Sequence, residues 1–253
     1  MFDVARLPLS QMVQASAALR SFGEGATSME ACAGGIVRYL YDELGDGQDQ
    51  RACALVRFYK THPYAGLDPD LRSFARGVLG GDPPRPSMSC LTMLATAGEQ
   101  PAWNERTRSA QHRAIPLPSP EVIAEAPMIA QLISQFGLET RELLEPDPGL
   151  LTDLAQKTYN VFHVAKALGS PYVPAQDDFV VRHGIESVVG FGGLFPTGDL
   201  FAVILFSKIP IPRETAGRFT TLALSVKLAA LPFANGPVFR GEAGDAAEAG
   251  AAR

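Results

Sequence analysis

The chain has 253 residues, 46% of them hydrophobic and 19% charged, with a formal net charge of −5, enough to bury a sizeable core in one large domain or two small ones. The acidic balance and the lack of a basic face argue against non-specific nucleic-acid binding, and no apolar run reaches the length of a membrane span. The start, MFDVARLPLSQMVQ, lacks the marks of a secretory signal, and the scattered Cys32, Cys53 and Cys90 do not suggest a disulfide framework, so a cytoplasmic location is expected.

A first helix is expected around 10–22. ATSMEACAGGIVRYLYDELG then reads as a second. Thr27 and Glu30 have capping-box spacing, Met29, Cys32, Ile36, Val37, Leu40, Tyr41 and Leu44 recur at helical intervals, and Gly45 is placed to end it. RACALVRFYK reads as a strand, and residues 69–79 as a short helix with Leu71, Phe74, Ala75 and Val78 on its apolar stripe. The loop GGDPPRPS leads to a strand, SCLTMLAT. Residues 98–113 are polar and irregular and carry the only tryptophan, Trp103. HRAIPLP is a short strand. Ser119 and Pro120 then open a helix over EVIAEAPMIAQLISQFG, with a kink at Pro127. PDPGLLTDLAQKTYNVFHV reads as a short helix leading into a strand that carries His163, and ALGSPYVPAQDDFVVRHG as a loop.

The most strongly patterned segment is GIESVVGFGGLFPTGDLFAVILFSKIPIP. It reads as a hairpin that turns at Thr197 and Gly198. Its second strand, LFAVILFSK, is apolar without alternation, so both faces need cover. The glycine run at 190–193 lies inside a strand and opens no helix, which disfavours a phosphate-cradling loop. Residues 213–231 form a closing helix, packed through Phe219, Leu222, Ala223, Val226, Leu228 and Ala229, with Leu224 and Leu231 on a further side. The tail from 240 has no large apolar residue and reads as disordered.

This order of elements resembles the GAF family of sensory domains. GIESVVGFGGLF resembles the family's penultimate strand, GDLFAVILFSKIPIP its last strand and exit, and RETAGRFTTLALSVKLAAL its closing helix. Residues 27–60 resemble its opening helix and first strand, so the likeness covers about half the chain. The resemblance implies an α+β fold: a central antiparallel sheet of about six strands, with helices on one face and a loop and helix insert roofing the other, where a small ligand is typically cradled. It also implies a homodimer through the first and last helices and output through a signalling partner protein, since no kinase, cyclase or DNA-binding segment follows. One domain over 1–239 is expected, with the long insert at 98–183, a stretch longer than a minimal member needs.

The candidate ligand-binding residues are Tyr64, Trp103, His112, His163, Tyr172 and His183. Trp103 can stack on a planar ligand or simply anchor its loop. His62, His112, His163 and His183 can ligate a metal or bond an anion, or be satisfied by backbone; no two share metal-ligand spacing. His163, in the apolar VFHV, is the first choice for an axial ligand if haem is the cofactor. FYKTHPYAGL groups Tyr59, Lys60, His62 and Tyr64 at a strand end, with Lys60 read as a solvated charge. A GAF-like enzyme class reduces free methionine sulfoxide with pocket cysteines, but the three cysteines here fall at core positions of a helix and two strands. No catalytic role is assigned. The alternatives to a small-molecule sensor are a haem- or metal-dependent sensor or enzyme and a ligand-free dimerisation module whose pocket is filled by its own side chains.

Overall fold

In the computed structural model, residues 1–81, 83–144 and 161–241 are described. Eight strands and seven α-helices lie among them. The N-terminal β1 (Phe2–Asp3) pairs in parallel with β2 (Leu44–Gly45). The remaining strands form one six-stranded sheet: β3 (Cys53–Pro63), β4 (Ser89–Gly98), β5 (Ala114–Leu117), β6 (Val161–Val164), β7 (Ser187–Leu194) and β8 (Leu200–Ser207). Their spatial order is β5-β4-β3-β8-β7-β6, and every neighbouring pair is antiparallel. The patterned hairpin is therefore β7 and β8 side by side, with β8 and β3 at the centre. Both edge strands come from within 98–183, so that segment completes the sheet as well as roofing it.

Alternation along β8 divides the core in two. Phe201, Val203 and Leu205 enter one apolar cluster with α1 (Leu9–Ser21), α2 (Met29–Glu43), α3 (Pro69–Leu79) and α7 (Arg213–Ala230). Ala202, Ile204 and Phe206 enter the other, with α4 (Pro120–Ala124) and α5 (Pro127–Gln135). The fold is thus α+β, with long helices on one face of an antiparallel sheet and the insert on the other. Ile123, Leu132 and Ile133 supply the insert's buried side, whereas Val122 stays exposed.

Several local expectations are corrected. The N-cap of α2 is Ser28, whose hydroxyl accepts from Ala31 N at 3.2 Å, and not Thr27. The backbone N–H groups of Met29 and Glu30 are met by the carbonyls of Pro237 and Val238, so the chain beyond α7 returns to seal that helix end. Glu30 itself accepts from Arg106 Nε at 3.1 Å and from Arg240 N at 2.9 Å. Pro127 does not kink one helix; it starts a second, because its ring removes an N–H and crowds the preceding turn. The 167–184 loop contains a π-helical turn, Gln176–Val181. The closing helix packs on both α1 and α2, chiefly on α1, and just beyond α1 a Cβ at Gly23 would collide with Ala229 O. The short helix expected just before β6 lies outside the described residues, as does the tail expected from 240 except for residues 240 and 241, where Arg240 is held to Glu30 rather than disordered.

Lys60 is also corrected: it is buried, at 1% exposure, on the helix side of β3. Its Nζ lies 2.9 Å from Asp199 Oδ2, donates to Thr61 O at 2.8 Å and sits 3.4 Å from His62 Nδ1. Thr197 Oγ1 donates to the same Asp199 oxygen at 2.8 Å. Burial lowers the Lys60 pKa, and the Asp199 carboxylate works against that shift. The pair ties the central strand to the hairpin turn. Asp199 is partly open to water, so the two partners are not equivalent. Asp199→Ala strands a buried cation and is expected to cost about 3–5 kcal/mol, whereas Lys60→Met leaves a carboxylate that is partly open to water and still accepts from Thr197, and should cost less; urea unfolding of the two variants measures this asymmetry.

Candidate functional site

On β3 the insert-facing residues are Leu55, Arg57 and Tyr59, alternating with Val56 and Phe58 on the helix side. Leu55 is in register with Gly98 of β4 and Phe206 of β8, and Arg57 with Thr96 and Ile204. Two rows therefore cross the middle of the sheet, about 7 Å apart along the strands. The first row is apolar and roofed by aromatics. Trp103 lies against Leu55 and Gly98, leaving no room for a Cβ at Gly98. Its ring centroid is 4.7 Å from His183 and 5.7 Å from Phe179, and Phe179 meets Phe206 edge to face at 4.9 Å.

The second row is polar. The half-buried Arg57 guanidinium donates from Nη1 to Tyr59 Oη and from Nη2 to Ser109 Oγ, both at 3.3 Å, beyond the usual N–H···O range. Its Nε–H is buried with no partner. Thr96, 6% exposed, has a buried hydroxyl that is also without a partner. Among the described residues no carboxylate pairs with Arg57, although most arginines of the insert and its neighbours are paired.

The roof over this row is the 99–113 loop. Ser109 Oγ donates to Gln111 O at 3.1 Å, and His112 takes a left-handed backbone at φ 61° to complete the turn. The loop is anchored by Arg106, which bonds Glu30 and, through Nη2 at 2.9 Å, Asp68, with its guanidinium 5.7 Å from the Phe239 ring centre. Roof loop, α2, the cap of α3 and the returning C-terminal segment thus meet at one side chain.

The six candidates are only partly brought together. Trp103 and His183 touch on the insert side, and His112, exposed in the roof loop, feels the Arg57 charge. Tyr64 packs against the helix-side core from a short 3₁₀ turn. Tyr172 is exposed. His163 lies on the helix face of β6, opposite Val189, and its Nε2 is 2.9 Å from Ile211 O. The described residues hold no group of three or more side chains fit to bind a metal. All three cysteines are buried, and burial raises each thiol to about 12, far from a reactive thiolate. Arg57, Thr96 and Ser109 were not singled out from the sequence. The available signal was an arginine in the middle of ALVRFYK, where a doubly covered strand has no use for a charge.

No family model matches the chain, and no curated protein matches it. Among solved structures, one described as the far-red absorbing dark state of JSC1_58120g3 with bound biliverdin IXa superposes with a TM-score of 0.40 and 9% identity, covering 87% of this chain and 98% of that one. A superposition this loose carries nothing about what this chain binds. No described helix is long and apolar enough to cross a membrane.

Two histidines have lowered pKa values. Burial is the main cause at His163, Arg213 adds to it and the bond to Ile211 O opposes it. Desolvation followed by Arg57 lowers His112, whose side chain is nevertheless largely open to water, so its contribution is the smaller. In both, the unfolded imidazole binds a proton at a higher pH than the folded one. Stability is therefore lost as pH falls below the ordinary value of 6.5 and is unaffected above it. His163→Gln is expected to flatten the acid-side decline in the urea midpoint while leaving its slope above neutral pH unchanged.

Proposed function

We propose that the chain is a small-molecule-binding sensory domain of GAF-like fold, a single domain over 1–239, that binds its ligand on the insert-facing side of the central strands and signals through a partner protein. The observation that carries this reading is the polar row inside an otherwise apolar layer. Buried polar atoms without partners are rare in folded proteins because each costs about 1–3 kcal/mol. Arg57 Nε and Thr96 Oγ1 are two of them, in register on neighbouring strands and facing the insert rather than the helices. An aromatic wall stands one row away. A ligand would satisfy the polar atoms and use the wall.

The outer sides of α1 and α7 support self-association. Leu9 and Val13 on the first helix and Leu224 and Leu228 on the second are exposed, with Leu231 just beyond. These are apolar residues on two helices that already pack together, although the pair the GAF resemblance assigns to a dimer is α2 and α7. A second reading, a ligand-free dimerisation module, is favoured by the filling of the rest of the insert side with Leu132, Phe136, Phe162 and Val188.

Native mass spectrometry and an absorption spectrum of the protein as isolated separate these readings. The sensory reading expects a copurifying small molecule that is lost on denaturation, or a metabolite-dependent rise in thermal midpoint; a chain that is empty and insensitive to every metabolite tried supports the ligand-free module. Haem ligation would appear as a Soret band that disappears in His163→Ala, and it requires the His163–Ile211 bond to break. Light scattering is expected to show a dimer that Leu224→Lys with Leu228→Lys returns to monomer.

A further inference from the structure

We infer that the ligand of this site is an oxyanion, a carboxylate or phosphate held by Arg57 and Thr96 with its apolar or planar remainder against Trp103 and Phe179. The inference rests on the sensory reading above and adds the ligand's chemical class.

Charge is the first argument. A guanidinium has five donors in a planar fork that suits a two-oxygen acceptor. Arg57 uses two of the five, both long and both toward neutral hydroxyls. Elsewhere in the molecule Lys60 has Asp199 as a carboxylate partner, and Arg106 has Glu30 and Asp68. Arg57 alone of these three lacks one, although it stands at the centre of the sheet, where an unpaired charge is most costly.

The surroundings exclude the opposite ligand class. The groups around Arg57 are the Tyr59, Thr96 and Ser109 hydroxyls; those of Tyr59 and Thr96 are able to donate to an anion, while that of Ser109 already donates to Gln111 O. No carboxylate among the described residues pairs with it, so a cationic ligand would meet only repulsion. Thr96 is the second, independent observation: its hydroxyl is more than nine-tenths buried, unpartnered, and on the same face and in register with Arg57. Because Arg57 is only half-buried, the site can be reached from solvent. The aromatic wall about 7 Å along the strands sets the scale of the ligand: an anionic group and one ring span the distance between the rows.

The single tryptophan makes the test direct. Trp103 fluorescence of the full chain is titrated with benzoate, its neutral isostere benzamide, and inorganic phosphate. Saturable binding of benzoate or phosphate, absent or much weaker with benzamide, is expected. Arg57→Gln should weaken the anion about ten- to a hundredfold, the loss of a charge-assisted bond. Thr96→Val guards against a variant that merely unfolds: it should raise the thermal midpoint of the free protein, by removing an unpartnered hydroxyl, and still weaken anion binding. Equal binding of benzamide and benzoate overturns the anion assignment and leaves the small-molecule reading standing. Anion binding unchanged in Arg57→Gln overturns it too, since the anion then sits elsewhere. No saturable response to any of the three probes also overturns it, while a copurifying neutral molecule would preserve the sensory reading on its own evidence.

Discussion

The structure depends on one constraint: β8 is buried on both faces. All eight of its residues are buried, four turned to each side of the sheet. A strand of this kind cannot sit under a single helical layer, because each fully exposed large side chain forfeits about 1.5–3 kcal/mol of burial. Two layers must therefore close on the sheet. The helices α2 and α7 supply one and the 98–183 segment supplies the other. That segment also adds the two edge strands, so the sheet and its roof are built by the same stretch of chain. The close packing extends to the backbone: a Cβ at Gly192 would collide with Phe201 O, so the β7–β8 pairing leaves no room for any other residue there.

The central strand β3 carries two cations into this double-sided core. Arg57 and Lys60 are three residues apart and so face opposite layers. Their fates differ. Lys60 enters the helix-side core with a carboxylate, a backbone carbonyl and a hydroxyl-held turn around it, and it works as a structural clamp. Arg57 enters the insert side with two long bonds and no countercharge. The same chemistry is completed by the protein on one face and left incomplete on the other, and it is the incomplete face that has the marks of a binding site.

Arg106 gives that site a physical link to the rest of the fold. The loop that carries Ser109 and His112 over Arg57 is held by Arg106 to Glu30, Asp68 and Phe239. Glu30 and the start of α2 are in turn joined to the segment that follows α7. A change in the roof loop would be felt at the ends of both helices that form the sheet's inner layer.

Local pattern alone determined most of the elements. Residue types suited to a pleated surface marked the strands, apolar spacing at helical intervals marked the long helices, and the unbroken apolar run at 200–206 required a covered sheet. Cysteine placement already argued against redox chemistry, and burial of all three agrees. What the sequence could not decide is which side chains converge. His163 looked like a pocket residue because it sits in an apolar strand, but register with Val189 turns it to the helix face. Lys60 looked solvated because lysine usually is, and only the hairpin turn, 139 residues away, supplied the partner that lets it be buried. Thr27 and Ser28 are adjacent and both can cap a helix; the returning C-terminal segment fixed which one does. Arg57 and Thr96 became visible as a pair only through the β3–β4 register. Propensity and periodicity are properties of neighbours in the chain, whereas the pairing of a charge or a hydroxyl is settled by residues that only the folded sheet brings within hydrogen-bond reach.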